Sequence, residues 1–214
     1  MVWPSPDTTV YNEPINVFAA KNDNWTLSLD YARNTSFGAF EVTGAETIEE
    51  HNQQEATPGA PFLEYVGFPN SGGVAKTKAT GTLRWSLRSW AASWTVVYFD
   101  GYKQEGAPGD PLNANFGMPG GFTTYTLPQG GYTIPSQIYS NFYVSYAFRK
   151  DLLDRGSRWG RWTDSLLDGV KISLNVNNVF NTLPPFDAFY NPLYTSPYGD
   201  VQLRNYSVSI KKSF

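Results

Sequence analysis

The strongest constraint on this chain is a two-residue alternation of apolar and polar side chains that recurs along its length. Successive side chains of a β-strand point to opposite sides, so such alternation marks a strand with one greasy and one wet face. Trp25, Leu27, Leu29 and Tyr31 interleave with Thr26, Ser28, Asp30 and Ala32, and Leu83, Trp85 and Leu87 with Thr82, Arg84, Ser86 and Arg88. Trp94, Val96 and Tyr98 alternate with Ser93 and Thr95, and Phe142, Val144, Tyr146 and Phe148 with Tyr143, Ser145 and Ala147. Ile172, Leu174 and Val176 alternate with Lys171, Ser173 and Asn175. Tyr206, Val208 and Ile210 are set against Ser207, Ser209 and Lys211 before Phe214, and a weaker strand with Phe40 and Val42 follows a turn around Asn34. The pattern predicts an all-β, antiparallel chain of about seven strands.

The links between these strands alternate in length. Arg33 to Ser36 and the link near Ser89 are short, whereas Ala45 to Gly73, Gln104 to Ser136 and Thr182 to Asp200 are long and polar or rich in Gly and Pro. Membrane barrels have short turns on one side and long loops on the other. One link departs from this: Lys150 to Asp168 is long where a short turn is expected. Its end reads as a short helix near 163–168, N-capped at Thr163 and closed by Gly169. With Arg155, Arg158 and Arg161 near Trp159 and Trp162 it is either an interfacial segment or a solvated loop with buried tryptophans.

Composition narrows the choice of medium. Aromatics and charged residues each make up 16% of the chain, against roughly 25% charged in soluble domains. A soluble β-sandwich also alternates, but it buries its aromatics centrally and charges its outer face. Here Trp25, Tyr31, Trp85, Trp90, Trp94, Tyr98, Phe148 and Phe214 sit near strand limits, as aromatic girdles do. The expectation is a transmembrane β-barrel segment, with a soluble carbohydrate-binding or adhesion β-domain as the alternative. No apolar run reaches the roughly 18 residues of a membrane-crossing helix. The start of the chain lacks a basic, apolar secretion signal, so an exported parent would carry its signal outside this sequence.

Chemistry is sparse. With one histidine, no cysteine and no glycine-rich phosphate loop leading into a helix, no catalytic residue, cofactor site or metal site is expected, and the chain is not read as an enzyme. Net charge is −3 with no basic block, so no nucleic-acid partner is expected. Glu46, Glu49, Glu50 and Glu55 read as a solvated surface, with a weak calcium site as the alternative. The loop aromatics Phe186, Phe189, Tyr190, Tyr194 and Tyr198 either contact a ligand ring or pack the loop. Arg84 and Arg88 either attract an anionic solute or pair with carboxylates along an inner wall.

The end of the chain carries a family resemblance. Gly169-Val-Lys-Ile-Ser-Leu-Asn-Val-Asn-Asn-Val-Phe-Asn181, followed by Pro184 and Pro185, resembles the penultimate strand of TonB-dependent outer-membrane receptors. Arg204-Asn-Tyr-Ser-Val-Ser-Ile-Lys-Lys-Ser-Phe214 resembles their closing strand, with Arg204 at the family's arginine position and Leu203 where the family often has glycine. The resemblance covers the last quarter well and most of the chain loosely. It implies that residues 1–214 are the C-terminal portion of a receptor barrel of about 22 strands, without the N-terminal plug domain and TonB box. The implied parent lies in a Gram-negative-type outer membrane and takes up a bulky nutrient (siderophore, cobalamin or oligosaccharide) with TonB-coupled energy, and the isolated chain is expected to be inactive. The implied partners are outer-membrane lipid, the TonB system through the missing part, and the barrel-assembly machinery. That machinery would read Tyr206, Val208, Ile210 and Phe214 as its signal.

Overall fold

The computed structural model describes residues 19–55, 57–112, 121–148, 167–190 and 193–213. They form strands β1 (Ala19–Thr35), β2 (Gly38–Glu55), β3 (Leu63–Glu64), β4 (Thr77–Leu87), β5 (Trp90–Phe99), β6 (Tyr102–Lys103), β7 (Thr133–Ile134), β8 (Gln137–Ala147), β9 (Val170–Asn177) and β10 (Asn205–Lys212). A helix, α1, spans Gly121–Gln129. The main sheet runs β1-β2-β4-β5-β8-β9-β10, with β3 attached to β2 and β6 paired with β7 apart from it. Every pairing is antiparallel. The sheet is open: β1 pairs only with β2, and β10 only with β9, among the described residues.

The register aligns the alternation of one strand with that of the next. One cross-strand row reads Tyr31, Val42, Leu83, Trp94, Phe142, Val176 and Tyr206, apolar in every strand. The adjacent row on the opposite face reads Ala32, Glu41, Arg84, Ser93, Tyr143, Asn175 and Ser207. Seven strands therefore share one apolar and one polar face. The apolar face is interrupted by Glu46, which stands between Leu27 and Ala79.

That apolar face is uncovered. Trp25 is 66% exposed, Val208 69% and Ile210 70%, with Leu27, Leu29, Leu83, Trp90 and Ile138 also exposed. Of the buried apolar side chains, Tyr139 and Val170 belong to β8 and β9, while Tyr65, Phe68, Ala75, Tyr102, Ala107, Ile134 and Ala188 lie in the long links. Most of the core is therefore in the links and not in the sheet.

Three regions differ from the sequence expectation. Ala45–Glu55 is not loop but the second half of an 18-residue strand, paired with β1 as far as Ala19. Its four glutamates hid the alternation, and a register shift at Asp23/Asn24 breaks the parity there. The Gln104 to Ser136 link contains α1, which ends where Gly130 turns left-handed at φ 74. The helix expected near 163–168 lies largely outside the described residues, as does Phe214.

Two backbone positions explain local sequence choices. Gly38 follows the turn out of β1 at φ 121, and a Cβ there would stand 2.5 Å from the Ser86 carbonyl and 2.7 Å from Trp85 Nε1. Leu203 adopts φ 58, the left-handed region that favours glycine. Gly38→Ala should therefore cost more than about 2 kcal/mol, and Leu203→Gly should gain about 0.5–1 kcal/mol. Opposite shifts of the urea midpoint check the pair, and a stabilising Gly38→Ala would contradict this reading of the turn.

Candidate functional site

Because the main strands run up and down in sequence, the short turns at 36–37 and 88–89 fall at one end of the sheet. The long links 56–76, 100–136 and 178–204 all fall at the other, where they pack together as a cap. Asp187 is at its centre and fully buried. Its carboxylate accepts hydrogen bonds from Tyr102 Oη (2.6 Å), Gln104 Nε2 (2.9 Å), Asn70 Nδ2 (3.1 and 3.2 Å) and the Phe189 amide (3.0 Å). Each long link thus contributes at least one group to the same carboxylate.

The donors are all neutral, and no cation pairs with Asp187 among the described residues. They replace the water that a carboxylate loses on burial. Burial, reinforced by the Asp187 hydrogen bond, pushes the Tyr102 hydroxyl far above its ordinary value, so it remains a donor. A second buried carboxylate, Asp110, accepts from Ser71 Oγ (2.8 Å), the Leu112 amide (3.0 Å) and the Gly106 amide. These bonds bind the Pro69–Ser71 turn to the β5–β8 link.

The β9–β10 link is held down along its length. Gln129 donates to the Phe186 carbonyl and accepts from the Ala188 amide, each at 2.9 Å. Ser196 Oγ accepts from Gln137 Nε2 at 2.6 Å. Tyr198 stacks on Phe99 at 4.8 Å and accepts from the Ala75 amide at 3.2 Å. Phe99 and Gln137 have the parity of the polar face, so the link folds inward over that face.

This packing sorts the loop aromatics. Phe186 and Tyr194 are exposed and stacked on each other at 6.1 Å. Phe189 is half-buried between Tyr125 (5.2 Å) and Tyr190 (5.3 Å), and Tyr198 is a packing residue of the cap. Arg84 donates to Glu41 at 2.7 Å on the polar face, while Arg88 occupies the two-residue turn at φ 53. Tyr206, Val208 and Ile210 lie on the exposed apolar face of the edge strand β10. Among the described residues no group of three or more His, Cys, Asp or Glu is placed to hold a metal ion.

Sequence reasoning missed the Asp187 cluster, whose side-chain partners lie 83 to 117 residues away within no shared motif. It also missed His51, whose Nδ1 lies 2.9 Å from Glu64 Oε2 and ties β3 to the end of β2. The asparagines of the family-like segment are better explained. Asn178 and Asn181 take left-handed φ of 50 and 56. Asn178 brackets Thr182 with two side-chain bonds, and Asn181 Oδ1 accepts from the Arg204 amide.

Asp187→Ala would strand three side-chain donors in a buried site, at a cost of about 3–5 kcal/mol. Hydrogen exchange should then show lost protection at Gly73, Gln104 and Ser196 while the β4–β5 ladder keeps its own; uniform loss across the sheet would contradict a local hub. The His51–Glu64 pair should act over a narrow pH range. The hydrogen bond to Glu64 raises the His51 pKa above 6.5, so its contribution is full below 6.5 and fades as pH rises through the raised value. Burial pulls the Glu64 carboxyl upward, but bonds from the Asn52 amide, His51, the Val66 amide and Gln53 hold it below 4.5, so its contribution is full above 4.5. Protection of the Tyr65 amide, bonded to the Asn52 carbonyl, should therefore peak between 4.5 and 6.5 and lose that peak in His51→Ala. No protein-family model matches this chain, and no curated protein or solved structure is significantly similar to it.

Proposed function

We propose that this chain is a section of the wall of an outer-membrane β-barrel, the C-terminal part of a TonB-dependent receptor, with its capped end outward. The observation that carries the reading is the pair of faces. Seven strands in one register leave an exposed, largely apolar surface, interrupted by Glu46, on one side and a Ser-, Thr- and Asn-rich surface on the other. In water such a patch calls for a cover, and no second sheet covers it among the described residues. A barrel in lipid needs that arrangement, with lipid on the apolar side and an aqueous lumen on the polar side.

Three further features favour it. Strands β4, β5 and β8 have 11, 10 and 11 residues, against the roughly 9–11 that cross a bilayer core. The two-residue turns lie at one end and the three links of the cap at the other, with the long 148–169 link as the exception at the turn end, and β10 runs back toward that end. The two free edges carry unpaired backbone groups, each costing several kcal/mol in hydrocarbon, so a sheet in lipid requires further strands. On this reading the parent takes up a bulky nutrient with TonB-coupled energy, and the present chain supplies wall and surface loops.

The medium is testable by substitution. Leu29 and Ser28 are adjacent on β1 and face opposite sides. In detergent or lipid, Leu29→Arg should cost about 2–4 kcal/mol while Ser28→Arg is tolerated. Heat-modifiable migration and urea midpoints in micelles give the comparison. A chain that folds as a monomer in detergent-free buffer, with Leu29→Arg no worse than Ser28→Arg, would falsify the barrel reading.

A further inference from the structure

The cap buries carboxylates without burying a cation. Asp187 and Asp110 are 0% and 2% exposed, and Oε2 of Glu105 is buried as well. No cation pairs with any of the three among the described residues. Lys103 is two residues from Glu105, yet its ammonium lies 5.0 Å from the Phe68 ring centroid and donates to the Pro108 carbonyl at 3.5 Å. Asp187 is satisfied by its four donors. Glu105 is not: its Oε2 has no hydrogen-bond partner among the described residues.

A second orphan acceptor lies in the same network. Asn70 is 7% exposed, its Nδ2 donates to Gln104 and Asp187, and its Oδ1 has no partner among the described residues. Gln104 Oε1 ties the two orphans together, accepting from Asn70 Nδ2 at 2.8 Å and from the Glu105 amide at 2.9 Å. Asp110 is drawn in from both neighbours. Ser71, which follows Asn70, donates to Asp110 Oδ1, and the amide of Gly106, which follows Glu105, donates to Oδ2. Neither orphan oxygen reaches solvent, so both face the interior of the cap. Buried acceptors without a donor are costly, and a carboxylate oxygen most of all.

Oxygen acceptors with no donor among them call for a hard cation. Nitrogen and sulfur ligands are not at hand, since the single histidine, His51, is bonded to Glu64 and the chain has no cysteine. Calcium takes roughly six to eight oxygens in flexible geometry, from carboxylates, amide and backbone carbonyls and water, whereas magnesium demands a near-ideal octahedron and dehydrates reluctantly. A mixed set of donors on irregular links suits calcium. We infer that Asn70 Oδ1, Glu105 Oε2 and the Asp110 carboxylate are the side-chain ligands of a calcium ion that fastens the Pro69–Ser71 turn to the β5–β8 link. Two carboxylates and one amide oxygen leave the remaining positions to water and backbone carbonyls. The site belongs to the cap and does not rest on the barrel reading.

The test uses the whole chain, stripped with EDTA at neutral pH and titrated with calcium or magnesium chloride in the medium in which it folds. Calorimetry should show saturable calcium binding and weaker magnesium binding. Hydrogen exchange should show calcium raising the protection of the Gly106 and Ala107 amides at least tenfold while the β4–β5 ladder is unchanged. Glu105→Gln, which keeps the size and removes the charge, should weaken calcium binding at least tenfold. Glu50→Gln, an exposed carboxylate of β2, should leave it unchanged. A water that donates to both orphan oxygens, or a proton on Glu105, would satisfy them without calcium. Protection at Gly106 and Ala107 that ignores calcium therefore overturns the inference, as does full binding by folded Glu105→Gln or loss of binding in Glu50→Gln. Where Glu105→Gln fails to fold, the exchange measurement on the unsubstituted chain decides alone. Calcium binding by a chain folded in plain buffer keeps the site and sinks the barrel reading, and a heat-modifiable chain in detergent that ignores calcium does the reverse.

Discussion

Side chains change sides at every residue of a strand, so a sheet acquires two chemically distinct faces only when all of its pairings share one parity. A slip of a single residue between β5 and β8 would place Phe142 opposite Ser93 or Thr95 in place of Trp94, and every strand beyond it would turn over. The short turns fix part of this parity. Between β1 and β2 only Ser36 and Phe37 intervene, the Thr35 hydroxyl bonds the Gly38 carbonyl at 2.9 Å, and Trp85 Nε1 reaches back to the Phe37 carbonyl at 2.8 Å. Between β4 and β5 only Arg88 and Ser89 intervene. Elsewhere the parity rests on side-chain pairs across strands, such as Trp90 with Tyr146 at 4.8 Å and Trp94 with Phe142 at 6.0 Å.

The capped end depends on the same register in a different way. Phe99 and Gln137 are partners across β5 and β8, and both lie on the polar face just where those strands end. That placement lets Tyr198 stack on Phe99 and Ser196 accept from Gln137, so the β9–β10 link is anchored to a strand pair far from it in sequence. Asp187 then lies within reach of Tyr102 and Gln104, which follow β5 directly. The turn after β9 leans the other way: Phe180 approaches Trp94 on the apolar face at 5.9 Å. One link thus touches both faces of the sheet at its end, and its buried carboxylate is the point where the three links meet.

Strands with one apolar and one polar face along their length were legible, and a strand whose character changes along its length was not. The alternations from Trp25, Leu83, Trp94, Phe142, Ile172 and Tyr206 each became a strand, because burial or exposure of a whole face leaves a period of two in the sequence. Ala45–Glu55 did not show it, since beyond Ile48 both sides of β2 carry polar groups and the bulge at Asp23/Asn24 removes the period. Helix α1 was hidden by composition: Gly-Phe-Thr-Thr-Tyr-Thr-Leu-Pro-Gln contains few strong helix formers and a proline. The Asp187 cluster was illegible because a polar hub assembled from three links has no spacing of its own. Leu203 is a middle case. The resemblance pointed to glycine at that place, and φ 58 supplies the reason without reference to any relative.

The lengths of the edge strands bear on what surrounds the sheet. β1 has 17 residues and β10 has 8, so the two free edges cannot pair with each other along their full length. At about 3.3 Å per residue, β1 extends ~56 Å, nearly twice the ~30 Å of a bilayer core. Its apolar stretch, Trp25 to Tyr31, is followed toward Ala19 by Asn24, Asp23, Asn22 and Lys21, matched on β2 by Glu49, His51, Asn52 and Gln53. The β1–β2 hairpin therefore changes character along its axis, apolar on one face near the turn and polar on both beyond it. A strand crossing from hydrocarbon into water must change in that way. On the proposed barrel reading, the apolar half would lie in hydrocarbon and the polar half beyond it in water.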